Sequence, residues 1–426
     1  MHINNFPTEL LEEIFLYSVS QSHSSPPFTR CSASPSTPCV ISKICKRWND
    51  IALNFAPLWT HLHVVDPQGI SIVHDLEVWM HRAGTLPLCF SLRQDKFYDL
   101  EASAAVVRLF LKSLQRCQSF EMFIRKISPF GFAHIERVPS TSLESVNVRD
   151  MTRVDWINRQ LLTDLLLNTR TLRTIRWSRP WHYPHATTPH PWENLRELST
   201  DSVISSAGFL KPLSHCQNLE RLRIHEQPYA DRRHCNTIPF VLPRVTHLSV
   251  RFKGTAILSK LILPSLEELE MTPLHKFTKW TPIVDLLQRS GVVLRRFGVM
   301  SGRFSTPYHL YQPQIIRILK MPYFRELRIL EVEAPMMAGC GIAKFLTLPT
   351  NGHTTVIEDN DESSGYLVHL EKIHLVFEDT GEVNLSRFFL QKLIESRLGM
   401  MSDPQSARWQ IEITKQIRFS LSTLST

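Results

Sequence analysis

Leu219-Glu220-Arg221-Leu222-Arg223-Ile224 places an apolar residue, two polar ones, a second apolar, one polar and a third apolar in a row. Its last four residues alternate as a half-buried strand does, with Leu222 and Ile224 on one side and Arg221 and Arg223 on the other. The phrase returns as Leu143/Val146/Val148, Leu172/Ile175/Trp177, Val245/Leu248/Val250, Leu266/Leu269/Met271, Leu294/Phe297/Val299, Leu327/Leu330/Val332 and Leu370/Ile373/Leu375. Leu195/Leu198 is a weaker copy, and Trp59/Leu62/Val64 and Cys117/Phe120/Met122 are candidates upstream. From Leu143 onward the steps are 29, 23, 24, 26, 21, 28, 33 and 43 residues. One short strand cannot bury its apolar side alone, so neighbouring turns must stack. The expected fold class is α/β: an irregular solenoid with parallel strands on its concave face and helices outside, among them Gln160 to Asn168 and Ile283 to Gln288.

The phrase and its period resemble those of leucine-rich repeats, whose turns recur every 20 to 29 residues or so. The Asn that usually follows the phrase is mostly missing. Side chains two, four and six residues after each first apolar position then face the concave side. In the middle turns these are Arg176, Arg221, Arg223, His225, His247 and Arg251, and in the following ones Glu268, Glu270, Glu331 and Glu333. Arg221, Arg223 and Arg251 are spaced to meet an acidic or phosphorylated peptide through forked hydrogen bonds. The plainer alternative is a solvated face, or Arg and Glu pairing across neighbouring strands. The candidate substrate-binding set is Arg176, Arg221, Arg223, His247, Arg251, Glu268 and Glu270.

At the N-terminus Pro7 suits the start of a helix, Glu9 its positive end, and Leu10, Leu11, Ile14 and Phe15 make an apolar face. A second amphipathic helix is expected from Val40 to Leu53, with Ile41, Ile44, Cys45, Trp48, Ile51 and Ala52 at helical spacing and Pro57 ending it. Between them Ser20 to Pro38 is rich in Ser and Pro and reads as a flexible surface insertion. Two short helices cannot bury both apolar faces alone and need a partner surface.

Phe6-Pro-Thr-Glu-Leu-Leu-Glu-Glu-Ile-Phe15, then Ile44-Cys-Lys-Arg-Trp48, then Ala56-Pro-Leu-Trp59 resemble an F-box in order and chemistry. The resemblance implies a small helical bundle that docks on a Skp-type adaptor and, through it, on a cullin scaffold carrying the ubiquitin-conjugating machinery. By position, Pro7, Leu10, Leu11, Ile14, Phe15, Ile44, Cys45 and Trp48 would form the adaptor-facing or bundle-core set, and sequence does not divide those roles. The likeness continues through Val78-Trp-Met-His-Arg-Ala-Gly84, Leu86-Pro-Leu88 and Cys117-Gln-Ser-Phe120, which resemble the first segment of F-box proteins abundant in fungi. The expected organisation is an F-box over 1–64, a connecting segment with the first irregular repeats over 65–142, and the solenoid over 143–426. Phe388 to Arg397 reads as a helix and Trp409/Ile411/Ile413 as a closing strand of a C-terminal cap.

The 426 residues, 43% hydrophobic and 21% charged, describe an ordinary folded protein too long for one globular core. A net charge of +8 with no basic run or recognisable module argues against nucleic-acid binding. The eight cysteines form no C-x-x-C pair, which suits a reducing compartment, and neither a secretory leader nor a membrane span is read. Cytoplasm or nucleus is the expected location. His182, His185 and His190 gather in a proline-rich loop without the Cys or carboxylate that would complete a zinc site. His225-Glu226 lacks the second histidine of a zinc-protease helix, and no phosphate loop or serine elbow occurs. No catalytic residue, metal or cofactor is expected. The leading expectation is a substrate receptor of a Skp–cullin–F-box ubiquitin ligase; the alternative is a repeat scaffold whose N-terminal helices serve only as a cap.

Overall fold

A computed structural model describes residues 6–21, 37–94, 99–126, 142–149, 156–167, 169–178, 191–200, 207–225, 238–251, 257–272, 280–300, 312–336, 341–346, 367, 369–378 and 410–416. The chain forms two compact units, Met1–Cys216 and Gln217–Thr426. Both are α/β, with parallel strands joined by segments that carry helices.

In the first unit, helices α1 (Thr8–Gln21), α2 (Thr37–Ile41) and α3 (Lys46–Asn54) lead through a 3₁₀ turn at Ala56–Trp59 into β1 (His61–Val65). There follow α4 (Ser71–Arg82), β2 (Leu88–Arg93), α5 (Leu100–Lys112), β3 (Cys117–Phe123), β4 (Ser145–Arg149), α6 (Trp156–Leu167), β5 (Thr174–Trp177), β6 (Glu197–Thr200) and α7 (Ala207–Ser214). The six strands pair in sequence order, all parallel. Register lines up Leu62, Phe90, Phe120, Val146, Ile175 and Leu198 across the sheet, every one buried. Helices cover this apolar side: Phe110 of α5 stacks on Phe90 of β2, ring centroids 4.2 Å apart. Asp99 caps α5, accepting from the N–H groups of Glu101 and Ala102, and also takes the N–H of Gly69, whose φ of 67° suits a residue without a side chain.

The second unit repeats the device with β7 (Arg221–His225), β8 (Phe240–Val241), β9 (His247–Arg251), β10 (Leu261–Ile262), β11 (Glu268–Thr272), α8 (Thr281–Ser290), β12 (Arg296–Val299), α9 (Gln312–Leu319), β13 (Ile329–Met336), α10 (Gly341–Leu346), β14 (Lys372–Glu378) and β15 (Gln410–Gln416). Strands β7, β9, β11, β12, β13, β14 and β15 pair in that order, all parallel, while β8 and β10 form a separate pair. Leu222, Leu248, Leu269, Phe297, Leu330 and Ile373 make the buried row. Phe297 sits edge-on to Phe324, 5.1 Å away, under Trp280 at the start of α8.

The turns are clamped by backbone. The carbonyls of Glu220, Thr246, Glu267, Arg295 and Arg328, each the second residue of its phrase, accept two N–H groups apiece from the next turn; Glu144 and Arg173 do the same in the first unit. Just before the phrase, Ser142, Thr171, Asn194 and Ser265 donate side-chain hydrogen bonds to carbonyls of the preceding turn. These bonds add side-chain ties from turn to turn.

The upstream phrases Trp59/Leu62/Val64 and Cys117/Phe120/Met122 are strands of the same sheet. Strand β2 lacks the opening residue of the phrase, because Pro87 stands where its first apolar residue belongs, followed by buried Phe90 and Leu92. The continuous helix expected over Val40 to Leu53 is instead two, broken at Ser42–Ile44. The cause is Cys45, whose extended backbone caps α3 while its Sγ accepts from the Trp48 N–H at 3.5 Å. Helix α1 runs on to Gln21, since Leu16, Tyr17 and Val19 continue its pattern. Most of the Ser/Pro-rich insertion, the histidine loop, and Phe388 to Arg397 lie outside the described residues.

Trp59 joins the N-terminal helices to the repeats. Fully buried, it donates from Nε1 to the Ala52 carbonyl at 2.8 Å, meets Trp79 of α4 edge-on at 4.8 Å, and carries the Arg82 guanidinium over its ring at 4.5 Å. Trp59→Ala should cost the first unit about 3–5 kcal/mol through the cavity and the orphaned carbonyl. Urea unfolding followed by circular dichroism measures this, and a cost under about 1 kcal/mol would show that the junction does not depend on this ring.

Candidate functional site

Two surfaces collect the residues singled out from sequence, one on each unit. On the first, α1 carries two apolar stripes. Leu11 and Phe15 are buried, at 0% and 1% exposure, and the Phe15 ring lies 4.9 Å from that of Trp48 on α3. Leu10, Ile14 and Tyr17, three and four residues apart, are 51%, 38% and 66% exposed. The eight expected residues thus divide. Leu11, Phe15 and Trp48 form the bundle core, while Pro7, Leu10, Ile14 and Ile44 face outward. Cys45, half-buried, caps α3. Arg47 holds the bundle's entrance, its Nη2 donating to the Phe6 carbonyl at 2.6 Å.

Tyr17 and Val40 also face outward and were not singled out from sequence. Tyr17 continues the Leu10/Ile14 spacing, so its signal was present. Of the nine large apolar side chains exposed among the described residues, Leu10, Ile14, Tyr17, Val40 and Ile44 fall on this bundle. Such concentration sets the bundle apart from a surface of scattered apolar residues.

On the second unit, the strand face opposite the buried row carries the charges. His247 Nδ1 lies 3.1 Å from Glu268 Oε2, and its Nε2 lies 3.5 Å from Glu270 Oε2. Arg296 reaches Glu268 at 3.4 Å, Glu270 at 3.7 Å and Glu331 at 2.6 Å, and Lys372 meets Glu331 at 3.4 Å. Gly298, in register between Glu270 and Glu331, leaves room for this, since a Cβ there would stand 3.4 Å from Glu270 Cγ. The rule that named Glu268 also names Arg296 and Lys372, each two residues after a first apolar position.

Of the expected substrate-binding residues, His247, Glu268 and Glu270 are brought together, bound to one another and to Arg296. Arg221 is exposed and Arg223 half-buried on β7, in register with His247 and Ser249. Arg251 follows on β9 by its backbone, and its side chain lies outside the described residues, as do those of His225 and Glu333. Arg176 belongs to the first unit and is held by Glu197 of the next strand at 3.0 Å. Beside it, Glu121 accepts from Asn147 at 2.6 Å, so cross-strand polar pairing runs through this unit too.

Burial pulls the His247 imidazole toward neutrality, but Glu270 and Glu268 outweigh it and raise its pKa. The His247 contact holds Glu270 below the usual glutamate range, against the upward pull of burial. Burial pushes the Cys216 thiol up to about 12 and the Cys117 thiol higher still, so neither is a thiolate at neutral pH. Among the described residues no helix is long and apolar enough to cross a membrane.

No known family model and no curated protein matches the chain.

The cluster makes stability depend on pH. A raised histidine pKa gives stability that is complete below the unfolded value of 6.5 and lost as pH rises through the folded one. The lowered Glu270 pKa gives stability present above 4.5 and lost as pH falls through the folded value. His247→Gln should therefore cost most between pH 4.5 and 6.5 and least at alkaline pH. The difference is on the order of 1 kcal/mol for these part-exposed partners. Urea midpoints of both proteins across that range test it, and a cost independent of pH counts against the charged pairing.

Proposed function

We propose that the chain is a non-catalytic, F-box-type subunit of a Skp–cullin–F-box ubiquitin ligase. Its N-terminal bundle docks on a Skp-type adaptor, and its leucine-rich-repeat-like strand face holds a protein substrate. The observation that carries this reading is the outward stripe of Leu10, Ile14 and Tyr17 on a helix whose other stripe already closes the bundle core. Apolar area left in water is a standing gain for any partner that covers it, at about 25 cal/mol per Å². The motif order Phe6 to Phe15, Ile44 to Trp48 and Ala56 to Trp59 supports the adaptor as that partner. Catalysis then belongs to other subunits, and this chain contributes proximity by holding a target beside the ubiquitin carrier.

A second reading, a repeat scaffold capped by its N-terminal helices, draws on Trp59. Its hydrogen bond to Ala52 and contact with Trp79 make bundle and first turn one structure, as a cap requires.

The full chain should co-elute with a purified Skp-type adaptor in size-exclusion chromatography. Leu10→Glu combined with Ile14→Glu should abolish co-elution while leaving the circular dichroism spectrum and unfolding midpoint unchanged, because neither residue is buried. If the unaltered chain does not retain the adaptor, the ligase reading falls and the capped scaffold stands.

A further inference from the structure

We propose that the strand face over β7 and β9 is an anion-reading strip that takes a short acidic segment of a protein, through its carboxylate or phosphate groups, on Arg221 and Arg223. This rests on the strand face being the one that holds a partner, and it holds whether or not the bundle binds an adaptor.

The argument begins with charge balance. From β9 to β14 the acids Glu268, Glu270 and Glu331 are opposed by His247, Arg296 and Lys372 at the distances given above. Those acids are occupied. Arg221 is exposed and makes no hydrogen bond or ion pair among the described residues. The charge of Arg223 helps hold down the pKa of Glu270, a carboxylate shared with His247 and Arg296, and the Arg223 Nε is shut off from solvent without an acceptor. A buried donor in that condition gains when an acceptor arrives. Among the described residues of this unit, positive charge is therefore left over on β7.

Geometry then selects the ligand. Arg221 and Arg223 are two residues apart on one strand, about 6.8 Å, the spacing of alternate side chains in an extended peptide. A segment with acidic residues at every second position, laid along β7, would bring one anion to each guanidinium fork. The backbone register sets Arg251 beside His225 on the next strand. Glu268 and Glu270 bound the strip two strands away, about 10 Å from β7. A nucleic-acid backbone tracking across the strands would run into these carboxylates, whereas a short acidic peptide along β7 does not.

The test is fluorescence anisotropy on the full chain at low salt, with a labelled peptide of alternating glutamate and serine. Its phosphoserine form, a glutamine-for-glutamate control and a single-stranded DNA oligonucleotide of equal length complete the set. The glutamate peptide should bind and weaken with salt, with the phosphoserine form tighter if phosphate is the natural group and equal if carboxylate suffices. Arg221→Gln with Arg223→Gln should weaken binding about tenfold or more. Arg173→Gln, an exposed arginine of the first unit, should not alter it. The proposal is overturned if the acidic peptides bind no better than the glutamine control, if the oligonucleotide binds as well as they do, or if the double variant binds normally while folded by circular dichroism. Adaptor co-elution is measured separately, so failure here leaves the ligase reading intact, and the reverse.

Discussion

Everything in the repeats depends on the in-register clamp between successive turns. When the carbonyl of Glu220 accepts the N–H groups of Thr246 and His247, and that of Thr246 accepts those of Glu267 and Glu268, the register of three strands is fixed. Because strand side chains alternate, fixing the register decides the two faces together. Leu222, Leu248 and Leu269 must fall in one buried row, and Arg221, His247 and Glu268 in one polar row on the opposite face. The charge cluster is thus a by-product of backbone pairing as much as of side-chain attraction. The clamp acts only at the phrase, so the length of chain between phrases is free, and the steps of 21 to 43 residues are tolerated for that reason.

The N-terminal bundle works under a different constraint. Phe15 against Trp48 and the closed Leu11 give it a core of few residues, and its short helices gain little from their own propensity. Its cohesion leans on local devices: the Cys45 cap on α3, Arg47 tying α3 to the Phe6 carbonyl, and Trp59 anchoring the exit in the first turn. A bundle held this way can leave one helical stripe uncovered without coming apart, and the proposed docking requires that.

The strands were legible because the phrase is short, repeated and apolar at fixed offsets, so local pattern and tertiary burial agree. Strand β2 escaped because Pro87 replaces the aliphatic residue that opens the phrase, although its backbone position is the same. The split between α2 and α3 was hidden by a cap of unusual chemistry, a cysteine thiol in place of Ser, Thr, Asp or Asn. The charged face was legible by counting, but partner choice was not: Arg296 reaches diagonally to Glu270 and Glu331 as well as across to Glu268, and the count gives only faces. Nor did the sequence show which stripe of α1 is inward. Leu10/Ile14/Tyr17 and Leu11/Phe15/Val19 both recur at helical steps of three or four residues, and only packing against Trp48 separates them.

That double stripe means that neighbouring positions in the chain answer to different selective pressures. A drift at 10, 14 or 17 alters what the molecule adheres to and leaves its cohesion alone, while a drift at 11, 15 or 19 does the opposite. One helix of 14 residues can therefore be retuned toward a new companion by changing every third or fourth letter, with the intervening letters held still.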